Sequence, residues 1–407
     1  MENKIVRFGE LYQIPSSNGL SRPSAVRGIG FKMINMGELF ANNIISDIPM
    51  ERVQMSESEQ KKFFVEQGDL LFARQSLVAE GAGKCSIIKL FNEPTTFESH
   101  LIRVRLNQKI ANPWYYYYLF QLKSNPIKAI INQCAQAGIR GSELARVKVP
   151  NPPLPTQQKI ASILSAYDNL IQNYKKQIEA LQTAASELYK EWFVRFRFPG
   201  WQNAKFDNGI PEGWKVERIG TLYDSTSGGT PSREHEEYFQ NGTYPWIKTG
   251  ELKDSPILET DESITDEAIK HSSAKLFEKD SLIIAMYGAT IGQLGINKMK
   301  ATCNQACCVL RPKKDKAFGI YYLFHFFKEN REFIIGLGNG AAQQNLSQVL
   351  INKLKIVNPN KEILEIFEEK ESMFFEKIYH LQQQITNLTQ QRDLLLPRLM
   401  SGKLEVK

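Results

Sequence analysis

Ten apolar residues between Pro155 and Phe198 stand at steps that alternate four and three without a break: Ile160, Leu164, Tyr167, Ile171, Tyr174, Ile178, Leu181, Ala185, Leu188 and Trp192. This spacing keeps one narrow stripe of a helix turned toward a partner along its whole length, which is the seam of a coiled coil. After Pro155 the segment holds neither Gly nor Pro until Pro199-Gly200 ends it. About 40 residues at about 1.5 Å each make a rod of roughly 60 Å. So narrow a stripe cannot be buried by the helix alone, so a partner is required.

The same chain supplies one. Leu364, Phe367, Phe374, Ile378, Leu381, Ile385, Leu388, Leu395 and Leu399 follow the same alternation, with Glu371 and Arg392 interrupting the apolar seam. A shift of 207 carries Ile160 onto Phe367, Ile171 onto Ile378, Ile178 onto Ile385 and Leu188 onto Leu395. Each rod follows a stretch of similar length, and these stretches match as well. Phe31-Lys-Met-Ile-Asn-Met-Gly-Glu-Leu pairs with Tyr244-Pro-Trp-Ile-Lys-Thr-Gly-Glu-Leu at 213, and Asp69-Leu-Leu with Asp280-Ser-Leu at 211. Tyr117-Tyr-Leu-Phe pairs with Tyr321-Tyr-Leu-Phe at 204, and Val147-Lys-Val-Pro-Asn-Pro with Leu354-Lys-Ile-Val-Asn-Pro at 207. The chain reads as one unit written twice: globular regions 1–154 and 199–360, followed by helical rods 155–198 and 361–407. The expected class is α+β, two globular domains with mixed sheets and two long coiled-coil helices related by a pseudo-two-fold repeat. Antiparallel rods would place the globular regions at opposite ends and parallel rods side by side; the repeat leaves the polarity open.

At 407 residues, two domains plus connections are the natural division. No run of 18 apolar residues is present, and Met1-Glu-Asn-Lys-Ile-Val-Arg-Phe lacks a signal-like apolar stretch, so cytoplasmic residence is expected. Cys85, Cys134, Cys303, Cys307 and Cys308 show no CxxC spacing and histidines are few, which argues for reduced thiols and against a zinc site. The net charge of +7 is uneven. Residues 1–154 carry 19 Lys/Arg against 13 Asp/Glu, whereas residues 199–360 carry 19 of each. Such an excess permits nucleic-acid binding, with help expected from a more basic partner.

Local pattern predicts strands at Lys4–Phe8, Asp69–Ala73, Cys85–Leu90, Ser99–Leu106 and Arg146–Val149, and helices at Trp114–Lys123 and Asn125–Gln136. Several motifs suggest catalysis and fail on inspection. Asn151-Pro-Pro-Leu154 is similar to the Asn-Pro-Pro-aromatic tetrapeptide of amino-methyltransferases, but Leu stands in the aromatic place, prolines continue and a rod follows, so a stiff linker is the better reading. Gly81-Ala-Gly-Lys-Cys-Ser misses GxxxxGK[ST] twice, at Val78 and Cys85. Gly288-Ala-Thr-Ile-Gly292 stands at the equivalent place in the second region, which points to a shared turn between strands. No catalytic constellation stands out, so a non-catalytic chain is expected.

What remains are side chains suited to base edges, since amides can bind adenine and guanidinium groups guanine in bidentate fashion. Arg74, Gln75, His100 and Arg140 supply them in the first region; Lys248, Asn304, Gln305, Gln343, Gln344 and Asn345 supply them in the second. Singly, each is an ordinary solvated loop residue. Their fall at corresponding points of both regions makes them candidates.

Taken in order, Pro152-Pro-Leu-Pro-Thr-Gln-Gln-Lys-Ile160, Gly228-Gly-Thr-Pro-Ser232, Gly288-Ala-Thr-Ile-Gly292, Gln344-Asn-Leu-Ser347 and Leu394-Leu-Leu-Pro-Arg-Leu-Met-Ser-Gly-Lys-Leu404 resemble the specificity subunit of type I restriction-modification enzymes over essentially the whole chain. The resemblance implies two target-recognition domains, each reading one half of a split double-stranded DNA sequence, with the helices as ruler and docking surface for two modification subunits. It implies no cofactor in this chain, S-adenosylmethionine and adenine methylation on the modification subunits, and ATP and Mg on two restriction subunits where these join. The first region departs from Gly-Gly-Thr-Pro-Ser with Gly19-Leu-Ser-Arg-Pro-Ser24, and the second rod opens with Asn360-Lys-Glu-Ile-Leu. Two alternatives stay open: a coiled-coil scaffold carrying two protein-binding modules, and a methyltransferase built around Asn151-Pro-Pro-Leu154.

Overall fold

The structure, a computed structural model, describes residues 4–23, 26–76, 81–133, 137–313, 319–338 and 345–406. The chain divides into two compact units. Unit 1 comprises Met1–Ile171 with Leu388–Lys407, and unit 2 comprises Gln172–Asn387.

Unit 1 is built on a five-stranded sheet of β1 (Tyr12–Asn18), β2 (Ile44–Ile45), β3 (Leu70–Ala73), β4 (Cys85–Ile88) and β5 (Leu101–Leu106), in the order β1-β5-β3-β4-β2. Only the β2–β4 pairing is parallel. Unit 2 repeats it with β6 (Tyr223–Ser227), β7 (Ser255–Ile257), β8 (Leu282–Ala285), β9 (Leu294–Asn297) and β10 (Cys307–Pro312), in the order β6-β10-β8-β9-β7, again with one parallel edge. A smaller mixed sheet accompanies each. Arg27–Ile34 lies parallel to Thr95–Phe97 and antiparallel to Arg52–Val53. Tyr244–Ile247 lies parallel to Thr302–Cys303 and antiparallel to Ser263–Ile264. A two-stranded pair closes each unit, Ile5–Arg7 with Lys148–Pro150 and Lys215–Arg218 with Lys355–Asn358.

Three of the repeated motifs now have physical reasons. In each Gly-Glu-Leu motif the glutamate reaches back to cap the turn it sits in. Glu38 accepts the Asn35 N–H at 2.9 Å and Glu251 the Lys248 N–H at 2.8 Å, while Leu39 and Leu252 are buried. The glycine turns are the same turn: Gly83 donates to Ala73 O and Gly292 to Ala285 O, each at 2.9 Å and each with positive φ. The Val147/Leu354 match also holds, since Phe8 N–H reaches Val147 O as Ile219 N–H reaches Leu354 O.

Two sequence matches shift. Gly68 and Asp280 both take positive φ and both donate across the sheet, to Ile88 O and Asn297 O, so Asp280 is the counterpart of Gly68 rather than of Asp69. The tyrosine runs likewise align through Tyr116 and Tyr322, whose hydroxyls donate to Pro150 O and Val357 O. Identical letters one or two places away had drawn the alignment off the hydrogen-bond register. A helix also gives way. Among the described residues, Asn125–Gln136 holds a short 3-10 turn, Pro126–Ile130, capped by Asn125, and then a two-residue strand, Asn132–Gln133. Pro126 cannot donate, and the isoleucines at 127, 130 and 131 are stiff at χ1 and lower helix propensity. The sequence reading also passed over a short helix, Gly141–Arg146.

The tyrosine-rich helices are α1 (Pro113–Gln121) and α3 (Ile320–Glu329), and the rods are α2 (Leu154–Tyr189) and α4 (Lys361–Met400). In unit 1, Ile160 and Leu164 share a core with Leu396, Leu399 and Met400, and Asp168 pairs with Arg392 at 2.5 Å. In unit 2, Tyr189 and Trp192 pack on Phe367. Within each unit, therefore, one rod begins where the other ends, and the two run antiparallel.

Along α2, Ile160, Leu164 and Ile171 are buried, while Tyr167, Ile178, Leu181 and Leu188 are half-buried. Along α4, Phe367, Ile378 and Leu381 are buried, and Ile385, Leu388 and Leu395 are half-buried. Phe375, not its neighbour Phe374, fills the core; Phe374 is half-buried. The α2 rod also stops short of Phe198. It leaves α geometry at a π turn, Lys190–Val194, with Arg195 N–H bonded to Lys190 O. The extra residue in that turn lets consecutive Trp192 and Phe193 both enter the unit 2 core.

The prolines before α2 are fastened by a fully buried amide. Gln157 donates to Asn151 Oδ1 and Pro152 O, each at 2.8 Å, and accepts Asn112 N–H at 2.8 Å at the start of α1. Tyr116 also donates to Asn151 Oδ1 at 2.9 Å. Asn151 thus serves the linker, and its carbonyl already holds two donors.

Candidate nucleic-acid interface

The sheet of each unit ends in a knot of backbone hydrogen bonds. In unit 1, Arg74 follows β3, donates to His100 O at 2.8 Å, and accepts Ile139 N–H at 2.9 Å. In unit 2, Met286 follows β8, donates to Ala306 O at 2.8 Å, and accepts Leu346 N–H at 2.7 Å. A third bond ties the small sheet to this place, Glu98 N–H to Ile34 O and Asn304 N–H to Ile247 O. The described candidates in each unit stand at or beside these atoms.

In unit 1 the knot brings Arg74, Gln75, His100 and Arg140 together. Gln75 pairs through its backbone with Gly138, and Arg140 follows Ile139 directly. Arg74 and Arg140 are exposed, and neither side chain has a hydrogen bond or ion pair among the described residues. His100 is exposed, its Nδ1 3.2 Å from Glu98 Oε2. Four other unit 1 cations are occupied: Arg22 by Glu59, Arg27 by Glu51, Lys32 by Asp47 and Arg52 by Glu93.

In unit 2 the knot presents amides. Asn304 caps its own turn, its Oδ1 accepting Ala306 N–H at 3.2 Å. Gln305 and Asn345 are exposed. Gln343 and Gln344 lie outside the described residues. Lys248 stands beside the knot, but its ammonium donates to Glu262 at 2.9 Å, which holds its pKa above the ordinary lysine value. Arg233 bonds the same carboxylate at 2.6 Å, and the two together pull Glu262 down to about 2.

Sequence reasoning took Gly228–Ser232 as a family motif but did not place it at the site, where it frames the second knot. Gly228 and Gly229 approach the knot so closely that a Cβ on Gly228 would stand 2.3 Å from the carbonyl oxygens of Cys303 and Asn304. Gly19 is its counterpart, where a Cβ would stand 2.0 Å from Phe97 O. Gly229 O accepts the Trp246 indole N–H at 3.0 Å, Thr230 donates to Gln305, and Arg233 lies over the rings of Phe239 and Trp246 at 4.2 and 5.3 Å. The available signal was the Gly-Gly-Thr-Pro-Ser run ahead of an isolated Trp.

No group of three or more His, Cys, Asp or Glu is placed to hold a metal among the described residues. Cys85, Cys303, Cys307 and Cys308 are buried free thiols, and Cys134 lies outside the described residues. No helix among the described residues is long and apolar enough to cross a membrane.

The model of the type I restriction modification DNA specificity domain matches this chain twice, at residues 2–183 and 211–392. The chain is 33% identical over 303 residues to the type I restriction enzyme MjaIX specificity subunit of Methanocaldococcus jannaschii, covering 72% of this chain and 69% of the relative. It is 21% identical to the HindI specificity subunit of Haemophilus influenzae, over 91% of this chain and 94% of that one. The fold is shared with the crystal structure of a type I restriction-modification S subunit from M. genitalium, at a TM-score of 0.62 and 15% identity, covering 98% of this chain and 96% of that one. With the repeated sheet, the repeated knot and the two rods in place, this chain belongs to the DNA specificity family of type I restriction-modification systems.

Proposed function

We propose that the two knots are the two reading heads of a split double-stranded DNA site. Unit 1 reads one half with Arg74, Gln75, His100 and Arg140; unit 2 reads the other with Asn304, Gln305, Gln343, Gln344 and Asn345, with Lys248 beside them. The observation that carries this reading is the pairing of an identical backbone knot with unrelated side chains, free guanidinium groups in one unit and amides in the other. A scaffold held constant under different polar groups is what reading two different half-sites requires, since base edges are told apart by donor and acceptor pattern. The rods fix the spacing between the halves and dock two modification subunits, which take S-adenosylmethionine and methylate adenine. ATP and Mg belong to restriction subunits where these join. The chain itself supplies specificity rather than catalysis, and works in the cytoplasm.

Base-resolution mapping of methylated adenine, in DNA from cells expressing the chain with its modification subunit, tests this. One split motif with a fixed gap is expected, and Arg74→Ala with Arg140→Ala should relax one half only. Relaxation of both halves, or no motif from an assembled complex, overturns it. Removing seven residues from each rod should change the gap and leave both half-sites as they were.

A further inference from the structure

The two-stranded pair that closes each unit carries a charge arrangement that stability alone does not favour. Arg7 stands directly opposite Lys148, and Arg218 directly opposite Lys355. Directly opposed residues on antiparallel strands have Cα atoms about 4.5–5.5 Å apart, and like charges at that spacing repel. A third cation joins each pair from the preceding short helix: Arg146 ends Gly141–Arg146, and Lys353 ends Gln348–Lys353. All six are exposed, and no carboxylate is paired with their side chains among the described residues. Acids close by in sequence have other partners: Glu10 accepts the backbone N–H of Arg7, Glu143 that of Arg140, and Glu217 accepts from the Asn358 amide. Lysine on an exposed strand can guard against edge pairing. That accounts for a cation on each strand, but not for the two standing directly opposite each other with a third beside them, repeated where intervening loops have diverged. In unit 2, where the globular region has no net charge, the cluster is harder still to attribute to a general basic excess.

Position supplies the rest of the argument. Arg140 immediately precedes the six-residue helix that Arg146 ends, and Asn345 lies just ahead of the helix that Lys353 ends. One short helix, about 9 Å long at about 1.5 Å per residue, therefore runs from a reading head to a basic triad in both units.

We propose that Arg7, Arg146 and Lys148, and likewise Arg218, Lys353 and Lys355, grip the phosphates beside each half-site and so set the register of the reading head without reading sequence. This rests on the DNA-reading role proposed above. Contacts to phosphate fix position and carry no base information, and each neutralised phosphate adds about 0.9 to the slope of log affinity against log salt.

The test uses the full chain assembled with its modification subunits, and fluorescence anisotropy on two duplexes, one containing the mapped target and one lacking it. Replacing the unit 1 triad together (Arg7→Gln, Arg146→Gln, Lys148→Gln) should weaken binding to both duplexes by the same factor and lower the salt slope by about 3. The unit 2 triad (Arg218→Gln, Lys353→Gln, Lys355→Gln) should do the same. Charge-keeping replacements (Arg7→Lys, Arg146→Lys, Lys148→Arg) should keep the slope. If the parent complex shows no salt-dependent preference for its target, the DNA-reading role itself fails. If the parent shows it and the glutamine variants keep the slope, the reading role stands and the phosphate grip falls. Loss of discrimination at one half-site would make the triad a base reader. Loss of the modification subunits on gel filtration would make it a protein interface. Either result overturns the proposal.

Discussion

The two units share a backbone and differ in how they meet both the outside and their own rods. At its knot, unit 1 presents guanidinium groups unpaired among the described residues, whereas unit 2 presents amides and ties Lys248 and Arg233 to Glu262. At the rod, unit 1 is fastened by the neutral amide of Gln157. Unit 2 is fastened by buried carboxyls. Glu368 accepts the N–H groups of Tyr321 and Tyr322 at 3.2 and 2.7 Å, and Glu371 meets His325 at 2.9 Å with both side chains almost fully buried. What the repeat preserves is the course of the main chain. The groups hung on it are free to change.

The comparison breaks most sharply at the glycines. Gly19→Ala and Gly228→Ala should each cost about 3 kcal/mol, because backbone carbonyls on the far side of the contact cannot step aside. Hydrogen exchange read by peptide should show each loss in its own unit. An unchanged exchange pattern for either variant would end the equivalence of the two turns.

The rod fastenings differ next. Gln157→Ala should cost about 2 kcal/mol in unit 1, by stranding the half-buried Asn112 N–H and the Pro152 carbonyl. Denaturant unfolding at pH 6 and at pH 8.5 should give the same loss, since no titrating group is removed.

Unit 2, by contrast, should respond to pH. Burial raises Glu368 to about 7 and Glu371 to about 8, from the ordinary 4.5. Between these values the unfolded chain has released protons that the folded one keeps, so stability falls as pH rises. Burial pushes His325 down to about 3, which costs stability only below its ordinary 6.5. Above about pH 6.5 the carboxyls act alone, and the loss should run to about pH 8. Glu368→Gln with Glu371→Gln should flatten this decline in exchange measurements on unit 2. A decline that persists in the double variant would place its origin elsewhere.

The smallest effect belongs to the polar tie in unit 1. Tyr118 donates to Asp168 at 2.6 Å, beside the Arg392 pair. Tyr118→Phe should cost about 1.5 kcal/mol in thermal unfolding while leaving Asp168 paired to Arg392.

The rods and the duplication were legible in the sequence because a seam of apolar residues at fixed steps has one physical meaning. The interruptions in that seam were not. Glu371 and Arg392 read as breaks, yet each is half of a polar tie whose other half, His325 or Asp168, lies far away in sequence. Single-residue register was also lost where neighbours look alike, as at Phe374 and Phe375. The candidate residues could be named because positions that correspond across a repeat can be matched in the sequence. The occupation of Lys248 was hidden, since it depends on Glu262 and Arg233, one on each side of it in sequence.

Unit 1 is assembled from the two ends of the chain. Ile160 and Leu164 leave the ribosome more than two hundred residues before Leu396 and Leu399, which cover them. At about 5–20 residues per second, that apolar strip stands bare for upward of about ten seconds. Unit 2 can close first, while the earlier-made unit waits with an adhesive edge. Synthesis of this protein therefore carries an interval of exposure to chaperones and to aggregation that its finished form gives no hint of.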